Sequence, residues 1–242
     1  MGRKIRIVLL TAIVCLGGIF WLGQSQSRRD ELQAVNAGKT EQESESETEW
    51  DQAAYRELKQ IAITFDDGPD EVWTEKLLDG LKERDVKVTF FVLGQKIEGN
   101  EALLKRMYEE GHLIGNHSYH HVELNRLRES AALKEIEMTN DLIYEVTGYR
   151  PEFIRPPYGS WNRKSDCPGE MISVYWTVDT MDWQSQDKNV VVNQIVTQAK
   201  DGDIILLHDI FESSVEAALE AIDQLQEKGY ELVTVDQLIF DS

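Results

Sequence analysis

The sequence predicts an α/β fold built on a largely parallel sheet, open or closed into a barrel. Three observations predict it. Seven short runs rich in β-branched and aromatic residues are spaced along residues 61–235. Amphipathic helical patterns lie between most of them, which is the alternation that strand–helix–strand units leave in a sequence. Carboxylates, histidines, an arginine and aromatics fall just after the runs, at strand ends that a parallel sheet brings to one face.

The strand-like runs are IAITF (61–65), VKVTFFV (86–92), HLIGNH (112–117), FIRPP (153–157), ISVYWTV (172–178), DIILLH (203–208) and ELVTV (231–235). Between them, 72–84 carries Val72, Trp73, Leu77, Leu78 and Leu81 on one helical stripe. Asn100 is placed to cap EALLKRMYEE, which Gly111 ends. Ser130 opens a helix that Gly148 and Pro151 close. Residues 189–200 and 213–228 repeat the pattern, with Gly202 and Gly229 after them. Pro168-Gly169 argues against a full helix between residues 159 and 171.

Ahead of the alternating part lie two different segments. Arg3, Lys4 and Arg6 precede an uncharged apolar run, residues 7–23, at the lower limit of length for a membrane span and long for a signal-peptide core. No A-x-A site follows it, and Ala12-Ile13-Val14 before Cys15 does not fit a lipoprotein site. An uncleaved signal anchor over 1–23 is the expectation, with a cleaved signal peptide and secretion as the alternative. Basic residues before the span put the N-terminus in the cytoplasm and the remainder outside, although Arg28 and Arg29 weigh slightly against that. Residues 24–59 are polar and include EQESESETE, the composition of a disordered acidic linker. The globular domain is therefore expected over 60–242.

Composition narrows the partners. With 25 Lys and Arg against 44 Asp and Glu, the formal charge is −19, which disfavours nucleic acid and anionic membrane surfaces. Cys15 and Cys167 are the two cysteines, so the globular part holds one, with no internal disulfide and no cysteine cluster for structural zinc. Oligomeric state has no signature here.

The chemistry concentrates in five places. In IAITFDDGPD (61–70) an apolar run ends in Asp66-Asp67 and is stopped by Gly68-Pro69. Adjacent residues point different ways at a strand end, so one carboxylate can hold a metal while its neighbour faces a substrate. A strand followed by an Asx-type turn, both carboxylates solvated, accounts for the same residues. In HSYHH (117–121), His117 and His121 are four apart and can meet one cation, while His120 points elsewhere. A solvated polar loop is the plainer reading. Ser118 stands where an H-E-x-x-H protease needs glutamate, which counts against that class. Two histidines and an aspartate leave positions open for water and substrate. RPPYG (155–159) forms a stiff rim, DTMDW (179–183) ends the fifth run, and His208-Asp209 ends the sixth, where a histidine can exchange a proton or simply bond backbone.

Taken together, TFDDGP (64–69), HSYHH (117–121), RPPYG (155–159), DTMDW (179–183) and LLHD (206–209) resemble, in order, the five motifs of the polysaccharide deacetylase family, the NodB-homology domains of carbohydrate esterase family 4. The resemblance spans nearly all of 61–240. It implies a distorted (β/α) barrel of about seven parallel strands and a metal-dependent N-deacetylase acting on N-acetylhexosamine units of a glycan. It implies roles residue by residue: Asp66 as general base, Asp67, His117 and His121 as metal ligands, and Arg155 as the partner of the base. Tyr158 matches an oxyanion donor through its backbone N–H, His208 the catalytic acid and Asp182 that acid's partner. Trp183 and Leu206 match the walls around the acetyl methyl. The implied cofactor is a divalent metal, zinc first, with cobalt, manganese or iron as alternatives. With the anchor, cell-wall peptidoglycan is the expected substrate. Chitin-type oligomers, another exopolysaccharide, O-acetylated xylan and a catalytically silent glycan-binding module stay open. Trp161 and Tyr119 are either sugar-stacking walls or rim packing.

Overall fold

The computed structural model describes residues 59–161 and 171–240. The signal anchor, most of the acidic linker and the Pro168-Gly169 segment lie outside these residues. Among the described residues no helix is long and apolar enough to cross a membrane.

Among the described residues eight strands form one sheet: β1 (Lys59–Asp66), β2 (Thr89–Val92), β3 (Leu113–Asn116), β4 (Phe153–Ile154), β5 (Ile172–Ser173), β6 (Val178–Asp179), β7 (Asp203–His208) and β8 (Tyr230–Leu232). All pairings are parallel, in the order β5-β4-β3-β2-β1-β7-β6, and β8 pairs β1 beside its first residues. Ile61 pairs with both Asp203 and Leu232, so β8 occupies the β2 edge of β1 before β2 begins at Thr64. The run ISVYWTV, expected as one strand, is two. Its ends pair with opposite edges of the sheet, and Val174 to Thr177 cross between them. So short a crossing spans at most about 3.5 Å per residue, so the sheet curls until its two edges face each other. Proline removes the ladder donor, which is why FIRPP is strand only over Phe153–Ile154. Of VKVTFFV only Thr89–Val92 pairs, and ELVTV gives way at Val235 to a helix.

The helices are α1 (Trp73–Glu83), α2 (Gly94–Ile97), α3 (Glu101–Glu109), α4 (Glu129–Thr147), α5 (Asp182–Ser185), α6 (Lys188–Gln198), α7 (Glu212–Glu227) and α8 (Val235–Phe240). Caps and starts differ from expectation in detail, the starts by one residue. Asn100 does not cap α3 with its side chain; its amide donates to the Lys96 carbonyl at 3.0 Å. The α4 helix begins one residue before Ser130. The α6 helix begins at Lys188 because Asp187 accepts from the N–H groups of Asn189 and Val190, two donors that a helix start leaves free. At its other end α4 stops where expected, at Gly148 with φ +73°, a left-handed conformation glycine adopts without a Cβ clash.

Alternation along the strands sorts the core into two. On β1, Ile61, Ile63 and Phe65 face outward into the main cluster with Phe90, Ile205 and Leu207 from neighbouring strands and Leu77, Leu81, Ile222 and Leu225 from α1 and α7. Emptying one such position by substitution to alanine costs roughly 2–5 kcal/mol. The other face of β1 shows Ala62, Thr64 and Asp66. Ala62 joins Phe91, Phe153 and Val174 in an inner cluster that α8 covers through Val235 and Leu238. Beyond it, toward the strand ends, the inner face turns polar.

Candidate active site

Period-two alternation delivers the first part of the site. Thr64 and Asp66 share the inner face of β1, and across the ladder they pair with Leu206 and His208 of β7. Arg155, fully buried after β4, reaches into this face: its Nη1 donates to Thr64 Oγ1 at 2.7 Å and to Asp66 Oδ1 at 2.8 Å. Its guanidinium lies 4.3 Å from the Phe91 ring centre and 5.7 Å from that of Trp176. Burial raises the Asp66 carboxyl above its usual range, and the charges of Arg155 and His208 only partly offset it. Asp66 is held as an ion pair and is more basic than an exposed aspartate.

The turn after β1 supplies the second part. Asp67 has φ +73°, and this left-handed residue swings its side chain back to the cavity that Asp66 faces, rather than to the far side of the sheet. The HSYHH segment is a tight loop, not a helical turn, with Ser118 at φ +67° and His121 at φ +56°. It is tied at several points. Asn116 Oδ1 accepts from Ser118 N at 2.7 Å, Ser118 Oγ accepts from His121 N at 3.1 Å, and both Glu135 oxygens accept from His120, one from its backbone and one from its Nδ1, at 2.9 Å. His120 accordingly points away, and His117 and His121 converge.

Asp67, His117 and His121 each offer one ligand atom, and these atoms lie within 4.8 Å of one another. Asp67 Oδ1 is 3.5 Å from His117 Nε2 and 3.4 Å from His121 Nε2. Asp66 Oδ2 stands 3.7 Å from His117 Nε2 on the other side. His117 Nδ1 lies 2.6 Å from the Arg155 carbonyl, which can only accept. The proton is therefore on Nδ1 and the Nε2 lone pair faces Asp67. Burial pushes His117 down to about 3, so it is neutral at physiological pH. Asp67 Oδ1 is buried without a hydrogen-bond donor among the described residues. A carboxylate oxygen left in that state beside two imidazole acceptors is costly, and a divalent cation supplies what all three atoms lack. The donor set of two histidine nitrogens and one carboxylate fits such an ion.

Opposite stands His208. Both Asp182 oxygens accept from this one residue, Oδ2 from its backbone N–H at 2.8 Å and Oδ1 from Nδ1 at 2.9 Å. Burial alone would lower the histidine, but the hydrogen bond to Asp182 and its charge outweigh that and push it up to about 9. On Asp182, burial is likewise overcome by His208, which holds the carboxyl below its usual range. His208 is an imidazolium at neutral pH.

Between these halves lies a cleft of about 430 Å³. Asp66, Asp67, His117, His121, Tyr158, Trp183, Leu206 and His208 line it, and Arg155 and Asp182 stand behind its wall as partners of lining residues. Tyr158 has φ +61° after Pro156-Pro157 and lays its ring 4.7 Å from that of His121. Left-handed non-glycine backbone costs roughly 1–2 kcal/mol per residue, and Asp67, Ser118, His121, Tyr158 and Met181 all carry it in the loops around this cleft. Trp176 and Phe211 also line the cleft and were not singled out from the sequence; Asp179, the first residue of DTMDW, lines it too and had been given no role of its own. Thr64 was missed as well, although its i, i+2 relation to Asp66 marks it as sharing that face. Tyr119 is tied to Glu98 at 2.8 Å and Trp161 packs near Leu124; neither lines the cleft.

The chain resembles known proteins in the same region. The family described as polysaccharide deacetylase matches residues 53–167. Peptidoglycan-N-acetylmuramic acid deacetylase PdaC of Bacillus subtilis is 45% identical over 180 residues, covering 74% of this chain but only 38% of that protein. The peptidoglycan-N-acetylglucosamine deacetylase of Bacillus cereus is 38% identical over 186 residues, covering 74% of this chain and 68% of that protein. The solved structure of B. subtilis PdaC superposes with a TM-score of 0.74 at 44% identity, over 76% of this chain and 91% of that structure. With the five motifs gathered around one cleft and these likenesses across the strands that build it, the chain belongs to the polysaccharide deacetylase family.

Proposed function

We propose that this chain is a metal-dependent N-deacetylase that removes acetyl groups from N-acetylhexosamine units of a bacterial cell-wall glycan. One observation carries the reading: a three-ligand cation site and a histidine kept protonated face each other across one cleft. The names of the relatives, peptidoglycan deacetylases, support the polymer; they differ on the sugar, N-acetylmuramic acid in one and N-acetylglucosamine in the other.

Asp67, His117 and His121 hold the metal, and zinc suits this set best, with cobalt or manganese as alternatives. When bound, such an ion lowers the pKa of water toward roughly 7 and polarises an amide carbonyl. The chain's own residues do the rest. Asp66 takes the proton of the attacking water, and Arg155 holds the carboxylate in place. The backbone N–H of Tyr158 stabilises the oxyanion of the tetrahedral intermediate, a contribution of about 3–4 kcal/mol for one such donor. His208 donates a proton to the departing amine, and Asp182 keeps it charged and oriented. Trp183 and Leu206 wall the acetyl methyl. Acetate and a free amino sugar result. The apolar segment 7–23 and the acidic stretch after it suit a catalytic domain held outside the cytoplasmic membrane beside the wall.

The test is acetate release by the full chain from peptidoglycan and from N-acetylglucosamine oligomers, with chelator and with zinc, cobalt or manganese restored. Release that stops with chelator and returns with metal is expected, greater on peptidoglycan. No release from either polymer by the metal-loaded chain would overturn the proposal.

A further inference from the structure

Directly after His208, Asp209 turns away from the cleft and is fully buried. One of its oxygens, Oδ2, accepts from the hydroxyl of Thr74, which is also fully buried. The other, Oδ1, has no hydrogen-bond partner among the described residues. Thr74 Oγ1 in turn accepts from the N–H of Asp70 at 2.7 Å, so one hydroxyl links the end of β7 to the turn that follows β1. The carboxylate also lies against the backbone of that turn. A Cβ on Gly68 would sit 2.7 Å from Asp209 Cγ, well inside van der Waals contact, so only glycine fits beside Asp67. The Gly68 carbonyl is held independently by Leu93 N at 3.0 Å. Every connection closes on the short turn that holds Asp67 at φ +73°.

An apolar side chain would fill this space without leaving a buried oxygen unpaired. Packing alone therefore does not account for a carboxylate here. Its position does: His208 and Asp209 are consecutive, and one faces the cleft while the other grips the turn of the carboxylate across from it.

We propose that Asp209 and Thr74 are positioning residues for the cation site: a buried carboxylate–hydroxyl clamp that fixes the Asp67 turn against the strand end carrying His208, and so sets both metal affinity and the spacing of the two halves of the site. The inference rests on the metal site argued above. Groups that orient metal ligands typically contribute 10–100-fold in affinity, and a ligand displaced by about 0.5 Å is enough to lose productive geometry.

The test uses the full chain and zinc. Zinc dissociation constants are measured by competition with a chromophoric chelator for wild type, Asp209→Ala, Thr74→Val and Thr74→Ser. Visible absorption of the cobalt-loaded proteins and thermal unfolding of the metal-free proteins are recorded beside them. Thr74→Val keeps the volume and removes the hydroxyl, so it carries the test even if Asp209→Ala does not fold. The expected result is zinc binding weakened about tenfold or more in Thr74→Val, a changed cobalt spectrum, and both restored in Thr74→Ser to within about twofold of wild type. Thr74→Val binding zinc as wild type does, with an unchanged cobalt spectrum, would overturn the clamp alone. A wild-type chain that binds no zinc would overturn the clamp together with the site it serves.

Discussion

His117 and His208 face the same cleft from opposite sides, both largely buried, and they hold opposite protonation states. His117 gives its Nδ1 proton to a neutral carbonyl, that of Arg155, and burial drives it down to about 3. His208 gives its Nδ1 proton to Asp182, and despite the burial that would lower it, the carboxylate carries it up to about 9. One ring is thereby a lone-pair donor for a cation and the other a proton donor for a leaving group. The partner on Nδ1, not the burial, separates the two roles.

The largest effects should come from exchanging what each ring can do. His117→Ala removes a ligand, so zinc binding and turnover should fall together, turnover by about a thousandfold or more. His208→Ala should keep zinc binding near wild type and lose about a hundredfold or more in kcat. Zinc affinity beside acetate release separates them; a His208→Ala chain that loses its metal would break the division of labour drawn here.

A subtler change tests the partner directly. Asp182→Asn removes the charge that holds His208 protonated. Turnover by wild type should decline only as pH rises through about 9, because the acid is lost there. In Asp182→Asn the alkaline limb should move well below that of wild type, since burial is then opposed only by the charges of Asp66 and Asp67. Profiles of kcat/KM against pH check this, and a limb left near 9 would mean another group is the acid.

The smallest effect is on stability. The folded pKa of His208 lies above its ordinary value of 6.5. Its contribution is therefore fully present below about pH 6.5 and is lost as pH rises through about 9. At most it is on the order of 3 kcal/mol, since each tenfold gain in proton affinity on folding corresponds to about 1.4 kcal/mol. With chelator present, the Tm of wild type should fall by several °C more than that of His208→Gln between pH 7 and pH 10, at about 2–4 °C per kcal/mol. Parallel curves would assign the pair no role in stability.

Much of this was legible beforehand, for identifiable reasons. Buried strands of a parallel sheet announce themselves as apolar runs, so β1 and β7 were readable nearly to their ends. The strand segments that were misjudged are those whose extent depends on pairing. ISVYWTV reads as one strand because its residues favour extended backbone locally; only the curl of the sheet assigns its two ends to opposite edges. Asn100 has the composition of a cap, but its amide found the Lys96 carbonyl instead. Trp176, Asp179 and Phe211 became cleft residues through the meeting of loops far apart in sequence.

By itself the sequence determined the parallel α/β class, the set of chemically able residues and their place at strand ends, because alternation, helical period and Gly-Pro stops are local properties of the chain. Only the tertiary structure decided how they act. The left-handed turn at Asp67 brings it to the same cavity as Asp66, and the carbonyl of Arg155 sets the tautomer of His117. Asp182, 26 residues away in sequence, charges His208. The strength of each of these interactions depends on distance and burial, and both are set by where the sheet curls rather than by neighbours along the chain.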